Sequence, residues 1–138
     1  MNRFIKLLAY ATVVAACQIA AVHAEEIVVI VSPQNPATRM FTEQASQFFL
    51  GKSPMFTPVD MPESSPVRAQ FYQKVTGKDV SEVAAIWARL VFTGRAAAPV
   101  VYRSSAEVKK AVAANPRAIG YIEKSALDDT VKAILAIP

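Results

Sequence analysis

Two strongly apolar runs lie near the two ends of this 138-residue chain. Ile27-Val28-Val29-Ile30-Val31 is wholly β-branched, and Val131–Ile137 is broken only by Lys132. Runs this short and this β-branched are buried strands by length and composition. Between them, segments of helical spacing alternate with brief β-branched pieces. That alternation predicts an α/β sandwich, a mixed sheet flanked by helices, in which the first and last strands are central or well covered.

Punctuation along the chain sets the expected elements. Ser32-Pro33 ends the first strand. Thr42 is the expected cap of a helix whose apolar face is Ala45, Phe48 and Phe49, closed by Gly51. Phe56–Met61 reads as a strand. Ser65-Pro66 is a helix start, with Ser as cap and Pro at the first turn, and Val67, Phe71 and Val75 form its buried stripe up to Gly77. Asp79 or Ser81 opens the next helix, with Val83, Ile86, Trp87, Leu90 and Val91 at helical spacing before Gly94. Pro99–Tyr102 is a short strand. Ser105 caps a helix that stops at Asn115-Pro116, and Ile119–Ile122 is a strand before the last one. Trp87, Phe48, Phe49 and Phe71 are core residues by their spacing. Asp128-Asp129 is a turn, and Lys109-Lys110 a solvated helix face.

Residues 1–24 read as a signal peptide. Arg3 and Lys6 form a basic start, Leu7–Val22 is almost unbroken apolar sequence, and Val22-His23-Ala24 is a cleavage site ahead of Glu25-Glu26. The expected product is a periplasmic domain of residues 25–138. A lipid-anchored form through Cys17, in Val14-Ala15-Ala16-Cys17, is the weaker alternative because Ile19–Val22 stays apolar after it. Removing Arg3 and Lys6 leaves 13 basic residues against 11 acidic ones, so the net charge falls from +4 to +2. No basic run exceeds Lys109-Lys110, which argues against a nucleic-acid partner.

Chemistry is constrained from the same end. The single Cys is Cys17 and the single His is His23, so residues 25–138 hold neither. A Cys/His zinc site, a nucleophile backed by His, and a His acid or base are excluded there. No acid–base pair is marked by spacing. The sequence indicates no catalytic residue, no metal site and no cofactor.

The best candidate for chemistry is the helix start at Ser64-Ser65-Pro66-Val67-Arg68. A helix N-terminus offers free N–H groups and partial positive charge to an oxyanion, and Ser64 and Ser65 can add hydroxyl donors. Arg68, a cation in the first turn, is unfavourable by a few tenths of a kcal/mol until an anion binds. The plainer alternative makes Ser65 only a cap and Arg68 only a solvated side chain. Arg39, Arg95 and Arg103 can rim an anion site or simply face water.

Three strings in order carry a family resemblance: Phe48-Phe49-Leu50-Gly51-Lys52, Glu63-Ser64-Ser65-Pro66-Val67-Arg68, and Pro116-Arg117-Ala118-Ile119-Gly120-Tyr121-Ile122-Glu123, with Phe92-Thr93-Gly94-Arg95 between the last two. Over roughly residues 27–137 the chain resembles one lobe of the substrate-binding protein of phosphate ABC transporters, a type II periplasmic-binding-protein-like domain. In that family an Asp-Gly-Ser-Gly-Thr-Arg-like run opens the helix that holds the anion. Glu63 takes the Asp position, Ser65 the Ser, Arg68 the Arg, and Phe71 the Phe that follows. The resemblance thus implies Ser65 and Arg68 as oxyanion ligands, and the helix-start reading adds Ser64 to the candidate set. Ser64 and Pro66 stand in place of the two glycines and Val67 in place of the Thr; Pro66 brings no N–H and Val67 no hydroxyl, and Asp60 and Met61 stand where some members carry a further arginine. A donor lost to a desolvated anion costs about 1–3 kcal/mol.

The resemblance implies an exported, phosphate- or oxyanion-binding protein connected with ABC-type uptake. Its partners are the anion and either a membrane transporter or a second copy. The alternative is a periplasmic accessory protein that kept the lobe and lost the ligand. An enzyme is the least supported class.

Overall fold

Ile27–Val31 forms β1 with all five side chains buried, and the rest of the sheet is arranged around it. The structure, a computed structural model, describes residues 25–138. The expected signal peptide, with Cys17, His23 and the Ala24 cleavage point, lies outside the described residues. The other elements are α1 (Thr42–Phe49), β2 (Thr57–Asp60), α2 (Pro66–Thr76), α3 (Val80–Phe92), β3 (Val100–Val101), α4 (Ser105–Ala114), β4 (Ala118–Glu123) and β5 (Lys132–Ile137). They form a mixed five-stranded sheet in the order β3-β2-β4-β1-β5. β2 runs parallel to β3 and β4, whereas β1 is antiparallel to both β4 and β5.

β1 is internal and fully covered, as its composition demands. β5 is instead an edge strand: Ile134 and Ile137 are buried, while Ala136 is exposed and the others are intermediate. Its apolar run reflects one covered face and not a central position. A register shift at Val29/Ile30 skips Ile134, and the Ile134 carbonyl accepts instead from the Met40 N–H at 2.9 Å. The bulge fastens the loop before α1 to the sheet edge.

Helices cover both faces. Gly120 in β4 faces α4: a Cβ there would meet Val108 and Val59 at 3.0 Å and Val112 at 3.1 Å. The glycine lets α4 approach the sheet closely. On the opposite face Tyr121 stacks on Phe71 of α2 (4.0 Å between centroids, 5° between planes), and Phe49 of α1 meets both rings edge-on. Trp87 of α3 donates from Nε1 to the Phe49 carbonyl at 2.9 Å, locking α3 onto the end of α1. Phe48, Phe49, Phe71 and Trp87 are all buried, as their spacing predicts.

Several element ends differ by one residue from expectation. Phe41, not Thr42, is the N-cap of α1; its N–H donates to Gln44 Oε1 at 2.9 Å, so the cap comes from the third helical position. Ser104, not Ser105, caps α4, which frees the Ser105 hydroxyl to donate to Glu123. Asp79 caps α3 as expected. Lys109 leaves the solvated face to donate to the Ala126 carbonyl at 2.8 Å and to Asp128 at 2.7 Å. These bonds hold the turn before β5 against α4.

Gly51 generates a direct test. It has φ +70°, and a Cβ there would lie 2.5 Å from Leu90 and 3.0 Å from Trp87. Gly94 has φ +69° but open space around it. Gly94→Ala carries the backbone penalty alone, about 1 kcal/mol. Gly51→Ala adds overpacking of about 1–3 kcal/mol and is expected to lower the midpoint of urea unfolding clearly further. Equal midpoints for the two variants would show that α3 does not pack on this turn as described.

Candidate functional site

The turn between β2 and α2 is built before any ligand is considered. β2 ends at Asp60. The chain turns at Pro62, whose carbonyl accepts from the Ser65 N–H at 2.9 Å, and enters α2 with Ser65 extended at φ −72°, ψ 121°. Ser65 Oγ accepts from the Arg68 N–H at 3.3 Å, and Pro66 occupies the first helical position. Pro66 brings no N–H and that of Arg68 is capped. The Val67 N–H is left as a helix-end donor without an intrahelical partner.

The structure thus brings the three sequence-predicted residues to one helix end, at the carboxyl end of β2, where open α/β sheets commonly bind ligands. Ser64 is exposed and Ser65 partly buried. Glu63, at the family's Asp position, is exposed. Val67 packs against the core, and Pro66 is exposed. Ser64, Ser65 and Arg68 line none of the four surface concavities described for residues 25–138.

Arg68 does not extend into water. It is 7% exposed, and its Nη1 donates to the Met61 carbonyl at 2.9 Å. Its Nε lies 3.8 Å from Asp60 Oδ1, too far for a hydrogen bond, and is buried without an acceptor. The guanidinium also sits over the Tyr72 ring, 5.7 Å from its centroid. An N–H left unpaired in a buried place costs about 1–3 kcal/mol, which an arriving acceptor would offset.

The sequence reading missed what holds Arg68 there. Asp60 is 3% exposed and accepts from the Tyr72 hydroxyl at 2.6 Å, from the Tyr121 hydroxyl, and from the Met61 N–H at 2.8 Å. One carboxyl group thereby joins β2, α2 and β4. Arg68 and Tyr72 are one helical turn apart, so both fall on the buried side of α2, together with Phe71 and Val75. The available signal was Asp60 directly after the apolar Val59, with aromatic hydroxyls one strand and one helix away.

The three arginines expected to rim an anion site or face water, Arg39, Arg95 and Arg103, are all exposed and none joins this cluster. Among the described residues no group of three or more His, Cys, Asp or Glu is placed to hold a metal ion. No described helix is long and apolar enough to cross a membrane.

The two buried tyrosines should betray this arrangement spectroscopically. Burial first, then the charge of Asp60, holds both the Tyr72 and the Tyr121 hydroxyl far above their ordinary value of 10.0. Their folded-state pKa is raised, so the stability they contribute is complete below about pH 10 and is lost as pH rises beyond it. When phenolate absorbance is followed, Tyr72 and Tyr121 should ionise only with alkaline unfolding. Phenolate absorbance assigned to either one by Tyr72→Phe and Tyr121→Phe, rising reversibly before unfolding, would contradict the buried cluster.

No protein-family model matches the chain, and no curated protein does. Solved structures do resemble it. An ABC-type phosphate transport receptor from Vibrio cholerae superposes with TM-score 0.65 at 25% identity, over 80% of this chain and 45% of that one. A protein assigned as a phosphate ABC transporter substrate-binding protein, with bound phosphate, from Clostridium perfringens gives TM-score 0.66 at 23% identity, over 80% and 44%. PstS from Borrelia burgdorferi gives 0.61 at 16% identity, over 80% and 46%. The chain spans less than half the length of these structures. What the described residues share with them is the fold: this chain is similar to part of the phosphate ABC transporter substrate-binding proteins and has their periplasmic-binding-protein architecture.

Proposed function

We propose that this chain is an exported solute-binding-like protein that takes phosphate or a related oxyanion at the N-terminus of α2, in connection with ABC-type phosphate uptake. The observation that carries the reading is Arg68: buried, charged, and with its Nε lacking an acceptor at a helix start. The Val67 N–H and the exposed Ser64 hydroxyl lie on the same turn. An oxyanion there receives the helix-end field, a charge-assisted hydrogen bond and a hydroxyl donor together. Asp60 supplies the opposite charge that keeps Arg68 in place between binding events.

Export to the periplasm rests on the signal-like residues 1–24 and on the kinship of fold with transporter binding proteins. The partner that fits is a membrane transporter, or a second copy that covers the open helix end. A second reading, an accessory protein that no longer binds the anion, is favoured by one specific feature. Ser65 Oγ is engaged as a cap, Pro66 has no N–H, and the Val67 side chain packs toward the core and brings no hydroxyl, so three side chains of the turn offer a ligand no free donor.

The test is thermal unfolding in millimolar phosphate, sulfate, arsenate or chloride at matched ionic strength. Oxyanion binding predicts a selective rise in Tm that grows with concentration by mass action. Ser64→Ala, at an exposed position, should shrink the rise without changing the Tm in chloride. Arg68→Lys keeps the charge but loses the guanidinium fork and should remove most of it. No selective rise would favour the accessory reading, and a rise unchanged in both variants would place the site elsewhere.

A further inference from the structure

At the other end of the parallel strands, two concavities adjoin. One, of about 550 Å³, is lined by Arg39, Met55, Phe48, Phe56 and Arg117 among others; its neighbour, of about 420 Å³, shares Phe48, Phe56 and Arg117 and adds Arg95. Thr57 of β2 and Ala118 of β4 are in register here, at the amino ends of both strands. Asp60 and the start of α2 lie at the carboxyl end of β2, so the two places are distinct.

The division between the concavities is aromatic. Phe48 and Phe56 meet edge to face, 4.8 Å between centroids, and Met55 is 70% exposed beside them. Arg117 stands on a backbone held from two sides. Its carbonyl accepts from the Thr57 N–H at 2.8 Å, and the preceding Pro116 carbonyl accepts from Asn35 Nδ2 at 2.7 Å. Its Nη2 donates to the Pro54 carbonyl at 3.1 Å, which leaves the other guanidinium donors free to point outward. No Asp or Glu is among the residues lining either concavity, although three arginines are. The surface is therefore apolar in its floor, positive on its rim and without an internal counter-charge.

We propose that this paired concavity binds a small organic anion: a carboxylate or sulfonate head on an aromatic or short aliphatic body. The body covers Phe48, Phe56 and Met55, and the head takes a forked contact from Arg117, with Arg39 or Arg95 adding charge according to which side it enters. Apolar walls add nothing to the binding of an inorganic oxyanion, so this ligand class differs from that of the α2 turn. The inference does not rest on the oxyanion reading and fails or stands separately from it.

The probe is 8-anilinonaphthalene-1-sulfonate, an aromatic sulfonate whose fluorescence rises on apolar burial. With the full-length protein, a saturable isotherm is expected, weakened by added sodium chloride, displaced by aryl carboxylates and unmoved by millimolar inorganic phosphate. Arg117→Gln, at an exposed position, should raise the dissociation constant by roughly tenfold without altering Tm. Phe92→Ser removes the most exposed aromatic elsewhere on the surface, 93% accessible, and should leave the isotherm unchanged. An isotherm insensitive to Arg117→Gln, abolished by Phe92→Ser, or displaced by phosphate would overturn the proposal. So would a dimer, seen by sedimentation, that Arg117→Gln dissociates, since that assigns the face to a second copy.

Discussion

A single buried carboxyl group, that of Asp60, organises the part of this molecule around the start of α2. It sits at the last residue of β2 and collects the hydroxyl of Tyr72 from α2, the hydroxyl of Tyr121 from β4 and the N–H of Met61, with the guanidinium of Arg68 alongside. Burying a carboxyl group costs several kcal/mol unless donors surround it, so the three elements are fixed relative to one another by the need to satisfy it. The apolar packing follows the same geometry. Phe71 precedes Tyr72 in α2, and its ring stacks on Tyr121, so the hydrogen bonds and the aromatic contact enforce one register between helix and strand.

The consequence for function is that a charged side chain at a helix start is held inside and not on the surface. A cation in the first turn is mildly unfavourable against the helix field. Asp60 offsets that, and the Met61 carbonyl takes one donor, but the geometry leaves the Nε proton without an acceptor. The turn is in that sense pre-organised: the charge is in position and one of its bonds is unmade. Where binding energy must come from so few donors, such pre-organisation matters more than contact area.

Much of this architecture was legible in the sequence, because apolar period and turn residues dictate it. Ile27–Val31 could only be a buried strand, and Ser65-Pro66 marks the start of α2 to the residue. The strings from Phe48 to Lys52 and from Pro116 to Glu123 pointed to the periplasmic-binding-protein architecture that the solved structures share. Polar residues are less legible, because a polar side chain reads as solvated until its tertiary partner is known. Tertiary contact with Asp60 draws Arg68 in, so Arg68 and Tyr72 join the expected stripe of Phe71 and Val75 on the buried face, against whose core Val67 also packs. Lys109 moves inward for a similar reason, toward a carbonyl and Asp128. β5, expected central or well covered, lies at the sheet edge, because an apolar run reports burial but not which neighbour supplies it.

The central claim, that the start of α2 receives an oxyanion with Arg68 poised by Asp60, is tested most directly by nuclear magnetic resonance. Amide and arginine Nε–H signals of the ¹⁵N-labelled protein would be followed during titration with sodium phosphate against sodium chloride. The account predicts saturable, phosphate-specific shifts centred on the amides of Ser64 to Arg68 and on the Arg68 Nε–H. Shifts absent from that turn, or confined to other arginines such as Arg39 and Arg117, would contradict it.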